Sequence, residues 1–288
     1  MKNTTYDTGN STMSRSGATF SLNPTTNVVL DVNCPTRPTS FVKGGFTLAE
    51  VLITLGVIGV VAAITLPTLI QNYQKKQTVT QLKKAYSELS QAISTAQKDF
   101  GTFEDWDFAD FPTDADRAQY FYENFLKPNL KISKYCAPSS NECWADDSFT
   151  LTGNKYTPLN SGVPGRCSFV TASGYSVFYW LHGSGTGGWF FVDLNGKKKP
   201  NILGKDIFVY ILGNGNISET YKDRMGLNPH GMHKKAVLTR EDIISGNYPY
   251  NVNYDAGGCS TSSTRSPGVS CAALIMLDGW EIKDDYPW

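Results

Sequence analysis

The sequence predicts an α+β protein in which a long N-terminal transmembrane α-helix packs on a C-terminal antiparallel β-sheet head. Three observations carry that reading. Val51–Gln74 holds no charged residue, apolar residues recur at helical spacing from Val79 to Phe100, and later runs rich in Tyr, Val, Phe and Ile alternate with glycine-rich breaks. The composition, 40% hydrophobic and 18% charged over 288 residues, suits a chain with a folded core. The 26 basic residues balance 26 acidic ones, which gives no electrostatic support to nucleic-acid binding.

The apolar run is the first element. Val51–Ile70 reads VLITLGVIGVVAAITLPTLI, and about twenty such residues at ~1.5 Å rise cross a hydrocarbon core of roughly 30 Å. A buried core helix is the competing explanation, but core helices of soluble domains seldom stay uncharged for so long. A cleaved secretory signal has a shorter apolar region nearer the start of the chain. An ordinary signal anchor is adequate physically, yet gives no reason for a carboxylate, Glu50, at the lip of the run.

Lys43-Gly44-Gly45-Phe46-Thr47-Leu48-Ala49-Glu50, followed at once by Val51-Leu52-Ile53, closely resembles the processing site of type IV prepilins and type II secretion pseudopilins. The resemblance implies a pilin-like fold and a membrane peptidase that cuts Gly45–Phe46 and methylates the new Phe46 amine. It makes Glu50 the fifth mature residue, where the family places its glutamate, and Pro67 the helix-kinking proline of many pilins. Met1–Gly45 becomes a leader, with translation from Met13 as a shorter form, and residues 46–70 become the transmembrane and assembly helix. A carboxylate carried unpaired to the bilayer centre costs roughly 2.5–3.5 kcal/mol, so Glu50 calls for a partner such as the Phe46 amine of a neighbouring subunit. Gly44 and Gly45 leave the scissile backbone unhindered. Lys75, Lys76, Lys83 and Lys84 follow the span, and the basic-loop rule taken alone favours the opposite orientation. The motif decides for a cytoplasmic processing site and an extracytoplasmic head.

Residues 71–101 form the amphipathic half of the same helix. Val79, Leu82, Tyr86, Leu89, Ile93, Ala96 and Phe100 make its stripe, and Gly101 is a natural stop. Residues 102–288 are the head. Its first part, to residue 166, reads as irregular and proline-punctuated, with a short helix over Asp114–Leu126. Strands follow at Tyr175–Leu181, Trp189–Leu194 and Asp206–Leu212, and Asn214-Gly215 signals a tight turn. Their aromatic residues are expected in core and interface rather than in a carbohydrate or cofactor box.

Cys34 falls in the leader. Of the other five cysteines, Cys136 with Cys143 and Cys259 with Cys271 are the preferred pairs, because each closes a short loop-like segment. The second pair is similar to the C-terminal disulfide loop of many pilins. Cys167 is left over, and spacing alone leaves the connectivity open. A zinc cluster is disfavoured by the lack of any CxxC pair.

Asp193, Asn195 and Asp206 offer oxygen ligands on one loop, and the resemblance makes calcium the candidate ion there. The spacing is no EF-hand, Lys197, Lys198 and Lys199 add positive charge, and a turn between strands explains the same residues. No metal or cofactor is therefore expected. His230 and His233 form an HxxH beside Pro229 and Gly231, which is expected to be a surface loop rather than a zinc-protease helix. No phosphate loop and no GxSxG occurs. The expected function is structural: a pilin or pseudopilin subunit of the inner membrane, assembled into a periplasmic or surface filament. The implied partners are a prepilin peptidase, an assembly platform and ATPase, and other subunits. The alternative is a single-pass anchor that presents an adhesive or ligand-binding head and never polymerises.

Overall fold

Helix α1 runs over Leu48–Phe100 and contains Pro67. The computed structural model describes residues 45–101, 106, 110–138, 140, 142–157, 166–181, 187–213, 226–232, 239–246, 257–263 and 265–288. By its contacts the chain divides into Met1–Leu55 and Gly56–Trp288. Gly44, Cys34 and the rest of the leader expected before Gly45 lie outside the described residues, as do His233 and Asn214-Gly215.

Sequence chemistry fixes both ends of α1. Thr47 precedes its first residue, and the Glu50 amide donates to Thr47 Oγ1 at 3.2 Å while the Thr47 amide donates back to Glu50 Oε2 at 2.8 Å. This is a capping box, satisfying two orphan donors reciprocally. At the other end Gly101 takes φ 81°, the left-handed conformation that glycine adopts without steric cost.

The second half of the helix follows its predicted stripe. Leu82, Ala85, Leu89, Ala92, Ile93 and Ala96 are buried, and Val79 and Tyr86 pack against the same core. Burying each Leu or Ile contributes roughly 1.5–3 kcal/mol, so tertiary contact rather than helix propensity holds this half in place. Phe100 departs from the expectation: it is 40% exposed, with its ring 4.5 Å from that of the core residue Phe125.

The stripe packs on a sheet of six antiparallel strands in the order β1-β2-β3-β4-β5-β6. They are β1 (Ile132–Cys136), β2 (Cys167–Thr171), β3 (Ser176–Leu181), β4 (Gly187–Asp193), β5 (Ile207–Gly213) and β6 (Gly226–Pro229). Tyr179 pairs with Phe190 and Phe190 with Tyr210, and all three share the core that holds the α1 stripe. Their neighbours Phe178, Phe191 and Val209 point to the other face, where they are covered with Trp144, Tyr156 and Val269. Both faces are thus buried, which is why the central strands read as nearly continuous apolar runs.

Three strands were expected and six are found among the described residues. Strand β1 lies in the segment read as irregular, and β2 and β6 flank the expected meander. The helix over Asp114–Leu126 is present as α2 (Asp114–Phe121) continued by a π-helical turn, Tyr122–Leu126. The described residues of the head also form two short helices: α3 (Arg240–Ser245), closed by its own Thr239–Asp242 capping box, and α4 (Cys271–Leu277). Arg240 ties them together, donating to both Asp278 oxygens at 2.8 and 2.9 Å.

Candidate functional site

The first candidate site is the start of α1. Phe46 is 86% exposed, and Leu48–Ile70 leaves its apolar side chains open, from Val51 at 41% to Leu48 at 79%. Among the described residues α1 is the one helix long and apolar enough to cross a membrane, and none of that stretch is buried. Its hydroxyls are satisfied internally: Thr54 Oγ1 donates to the Val51 carbonyl, Thr65 Oγ1 to Val61 and Thr68 Oγ1 to Thr65. Hydroxyls bonded back to the helix in this way suit an apolar environment. Pro67 has no amide to donate, so the Ala63 carbonyl loses its usual helical partner. Glu50 is the sole carboxylate in this stretch, and Thr47 holds it, donating from both its amide and its hydroxyl. The sequence reading gave Thr47 no role, although Thr-x-x-Glu was legible as a capping signal.

The second candidate is the loop joining β4 to β5. Asp193 Oδ1 accepts from the Asn195 amide at 3.1 Å, and Gly196 takes φ 69°, so Asp193-Leu194-Asn195-Gly196 is a turn held by its own aspartate. Asp206 organises the return: its carboxylate accepts from the Asn201 and Ile202 amides at 2.8 and 2.6 Å and from Asn195 Nδ2 at 3.1 Å. Three donors therefore already occupy Asp206. The acceptors without a hydrogen-bond partner are Asp193 Oδ2, Asn195 Oδ1 and Asn201 Oδ1, fewer than the roughly six to eight oxygens that calcium takes. Among the described residues no group of three or more His, Cys, Asp or Glu is placed to hold a metal.

Asp193 is fully buried. Burial first, and the Asp206 carboxylate second, push its carboxyl up to about 9. The folded state thus keeps a proton that the unfolded chain releases near its ordinary aspartate value of about 3.9. Its contribution is complete below that value and is lost as pH rises toward the folded one, with a slope of at most about 1.4 kcal/mol per pH unit. Urea unfolding of the head is expected to show stability falling between about pH 5 and about pH 8, and Asp193→Asn is expected to flatten that slope. An unchanged slope in the variant would assign the proton elsewhere.

Among the described residues the cysteines resolve into Cys136–Cys143 and Cys259–Cys271, with Cys167 free and buried. The first bond ties the end of β1 to the segment after it, and the second fastens the first residue of α4. Tyr135 Oη donates to Cys167 Sγ at 3.4 Å, and burial pushes the thiol up, so Cys167 is a packed core residue.

His230 overturns its expected place on a surface loop. It is 1% exposed directly after β6, with Nδ1 2.8 Å from Ser270 Oγ and its ring 5.2 Å from that of Trp189. Pro229 and Gly231 do interrupt regular structure, but β6 pairs with β5 and carries the imidazole into the head.

No curated protein and no solved structure matches the chain. The model of a family described as a family of unknown function (DUF6613) matches residues 68–288, beginning just past Pro67 and including the amphipathic half of α1 and the head, and the chain belongs to that family.

Proposed function

We propose that the chain is a prepilin-type subunit, a pilin or pseudopilin, whose leader is removed at Gly45–Phe46 and whose α1 then serves first as membrane anchor and later as filament core. The observation that carries this reading is one continuous helix with two kinds of surface. Its half from Leu48 to Ile70 is apolar and uncovered, and its half from Val79 to Ala96 is built into the head. An uncovered apolar helix needs lipid or other copies of itself around it. The start Gly45-Phe46-Thr47-Leu48-Ala49-Glu50 supplies a cleavage site and a counter-charge at its lip. In this reading the fold is pilin-like, the head is extracytoplasmic, and a prepilin peptidase, an assembly platform and an ATPase act on the chain. The role is structural, and the head supplies surface specificity rather than catalysis.

A second reading draws on the capping box. Because Thr47 already engages Glu50, that carboxylate has a local role, and the chain could serve as a single-pass anchor for an adhesive or ligand-binding head without polymerising. Intact-mass measurement on membrane-extracted native protein separates the two. The prepilin reading expects a chain beginning at N-methylated Phe46. A mass that still includes Lys43 sinks it.

A further inference from the structure

The lysines that follow the span have no role in filament assembly as described above. Lys75 and Lys76 lie on α1 just past the apolar run, and Lys198 and Lys199 lie on the exposed part of the β4–β5 loop. Of these four, Lys199 lines a cavity of about 410 Å³ between α1 and that loop, and Lys75, Lys76 and Lys198 stay outside its lining. Gln74, Gln77 and Gln81 of α1 form one wall, Lys199 and Lys205 line the other, and Trp288 stands in the lining as well. Tyr286 pins that last stretch of chain by donating its hydroxyl to the Gly204 carbonyl.

Position and chemistry select the ligand. Gln74 follows Ile70 by about 6 Å of helix at standard rise, within the roughly 5–8 Å of head-group region flanking each side of the hydrocarbon core. Tryptophan is favoured at that depth, and basic clusters there attract anionic lipid. The carboxylate in the lining does not oppose an anion strongly, since Asp206 is turned onto the Asn201 and Ile202 amides and is itself 5% exposed. Asn195 also lines the cavity but its Oδ1 is buried, so the acceptors open to a ligand are the side-chain oxygens of the exposed Gln74, Gln77 and Gln81. The lysines thus favour a ligand that accepts, and the glutamine oxygens favour one that donates. A phosphate carrying a hydroxylated substituent does both.

We propose that this cavity binds the phosphoglycerol head group of an anionic phospholipid in the leaflet that the head faces. The phosphate lies against Lys199 and Lys205, and the glycerol hydroxyls donate to the side-chain oxygens of Gln74, Gln77 and Gln81. Lys75 and Lys76 add to the attracting field. This gives the lysines after the span a purpose on the far side of the membrane, where the basic-loop rule does not place them. The proposal rests on the membrane reading of Leu48–Ile70.

The test uses the full chain in nanodiscs of equal parts phosphatidylcholine and phosphatidylglycerol. The lipids retained on transfer to mild detergent are quantified by mass spectrometry. Wild type is expected to retain phosphatidylglycerol over phosphatidylcholine, with about a five-fold preference per engaged lysine, the equivalent of ~1 kcal/mol each. Lys199→Ala and Lys205→Ala are each expected to reduce the preference about five-fold, Lys199→Arg to keep it, and Lys131→Ala, outside the cavity, to leave it unchanged. Equal retention of the two lipids by wild type, or a preference untouched by both alanine variants, overturns the proposal. Saturable binding of inorganic phosphate by lipid-stripped protein would also overturn it, in favour of a soluble phosphate ligand. A chain that does not enter nanodiscs at all fails the membrane reading first, so the two failures are told apart.

Discussion

Glu50→Gln is expected to leave membrane insertion and the head intact while abolishing filament assembly. Glutamine serves a capping box as glutamate does, so α1 keeps its start, whereas the charge available to a neighbouring Phe46 amine is lost. Thr47→Ala is the complementary change. It removes the hydroxyl that Glu50 contacts, costs about 1 kcal/mol of helix-start stability and keeps the charge. A register set by charge predicts that Glu50→Gln fails to assemble and Thr47→Ala assembles, because a filament with mismatched stagger buries an uncompensated ion, worth roughly 3–5 kcal/mol per site. A register set by helix geometry predicts the reverse order. Sedimentation or negative-stain counting of filaments from cells expressing each variant reads the outcome. Wild-type filament numbers with Glu50→Gln would remove charge pairing from the mechanism.

The capping box also shows how much of this site was legible in the sequence. Gly45 to Glu50 is contiguous, so its chemistry could be read without knowing the fold, and the apolar run and the stripe from Val79 to Ala96 could be read from period alone. The central strands β3, β4 and β5 were visible because burial on both faces makes them dense in aromatic and β-branched residues. The other strands lack that density. Strand β1 reads ISKYC with both Ser133 and Lys134 exposed, and its partner β2 is some thirty residues away, so only tertiary pairing defines it. Strand β6 reads GLNP, three of whose residues are poor strand formers, and Pro229 is tolerated because it lies on an edge strand.

Sites assembled from distant segments were less legible still. The β4–β5 turn was read correctly because Asp193, Asn195 and Gly196 are local to one another, but the cavity beside it brings together residues near 74–81, 194–206 and 288, which no spacing rule connects. His230 failed for a similar reason. Its flanking proline and glycine indicate a loop, and the residues that bury it, Trp189 and Ser270, are roughly forty positions away on either side.

The head should hold its stability through its disulfides more than through any single core contact. A fragment beginning at Gln71 lacks the uncovered apolar half of α1 but keeps the stripe and the sheet that covers it, and is expected to be a soluble monomer that unfolds cooperatively. Its two bonds close segments with sequence separations of 7 and 12, and in the chain-entropy model loops of that size are worth roughly 2–3 kcal/mol each. Reduction of both is therefore expected to cost about 5 kcal/mol, a large share of the ~5–15 kcal/mol by which domains are stable. The two bonds should not contribute alike. All four cysteines are buried, but Cys136–Cys143 joins an edge strand to the segment beside it, whereas Cys259 and Cys271 belong to the core that contains Leu274 and Ile275 and hold α4 against it. Replacing Cys259 and Cys271 together by alanine should lower the urea midpoint more than the same change at Cys136 and Cys143, and Cys167→Ala should have the smaller effect of a trimmed core side chain. Equal midpoints for oxidised and reduced fragment would mean that the six strands and the α1 stripe suffice on their own, and that the cross-links act only on the rate of unfolding.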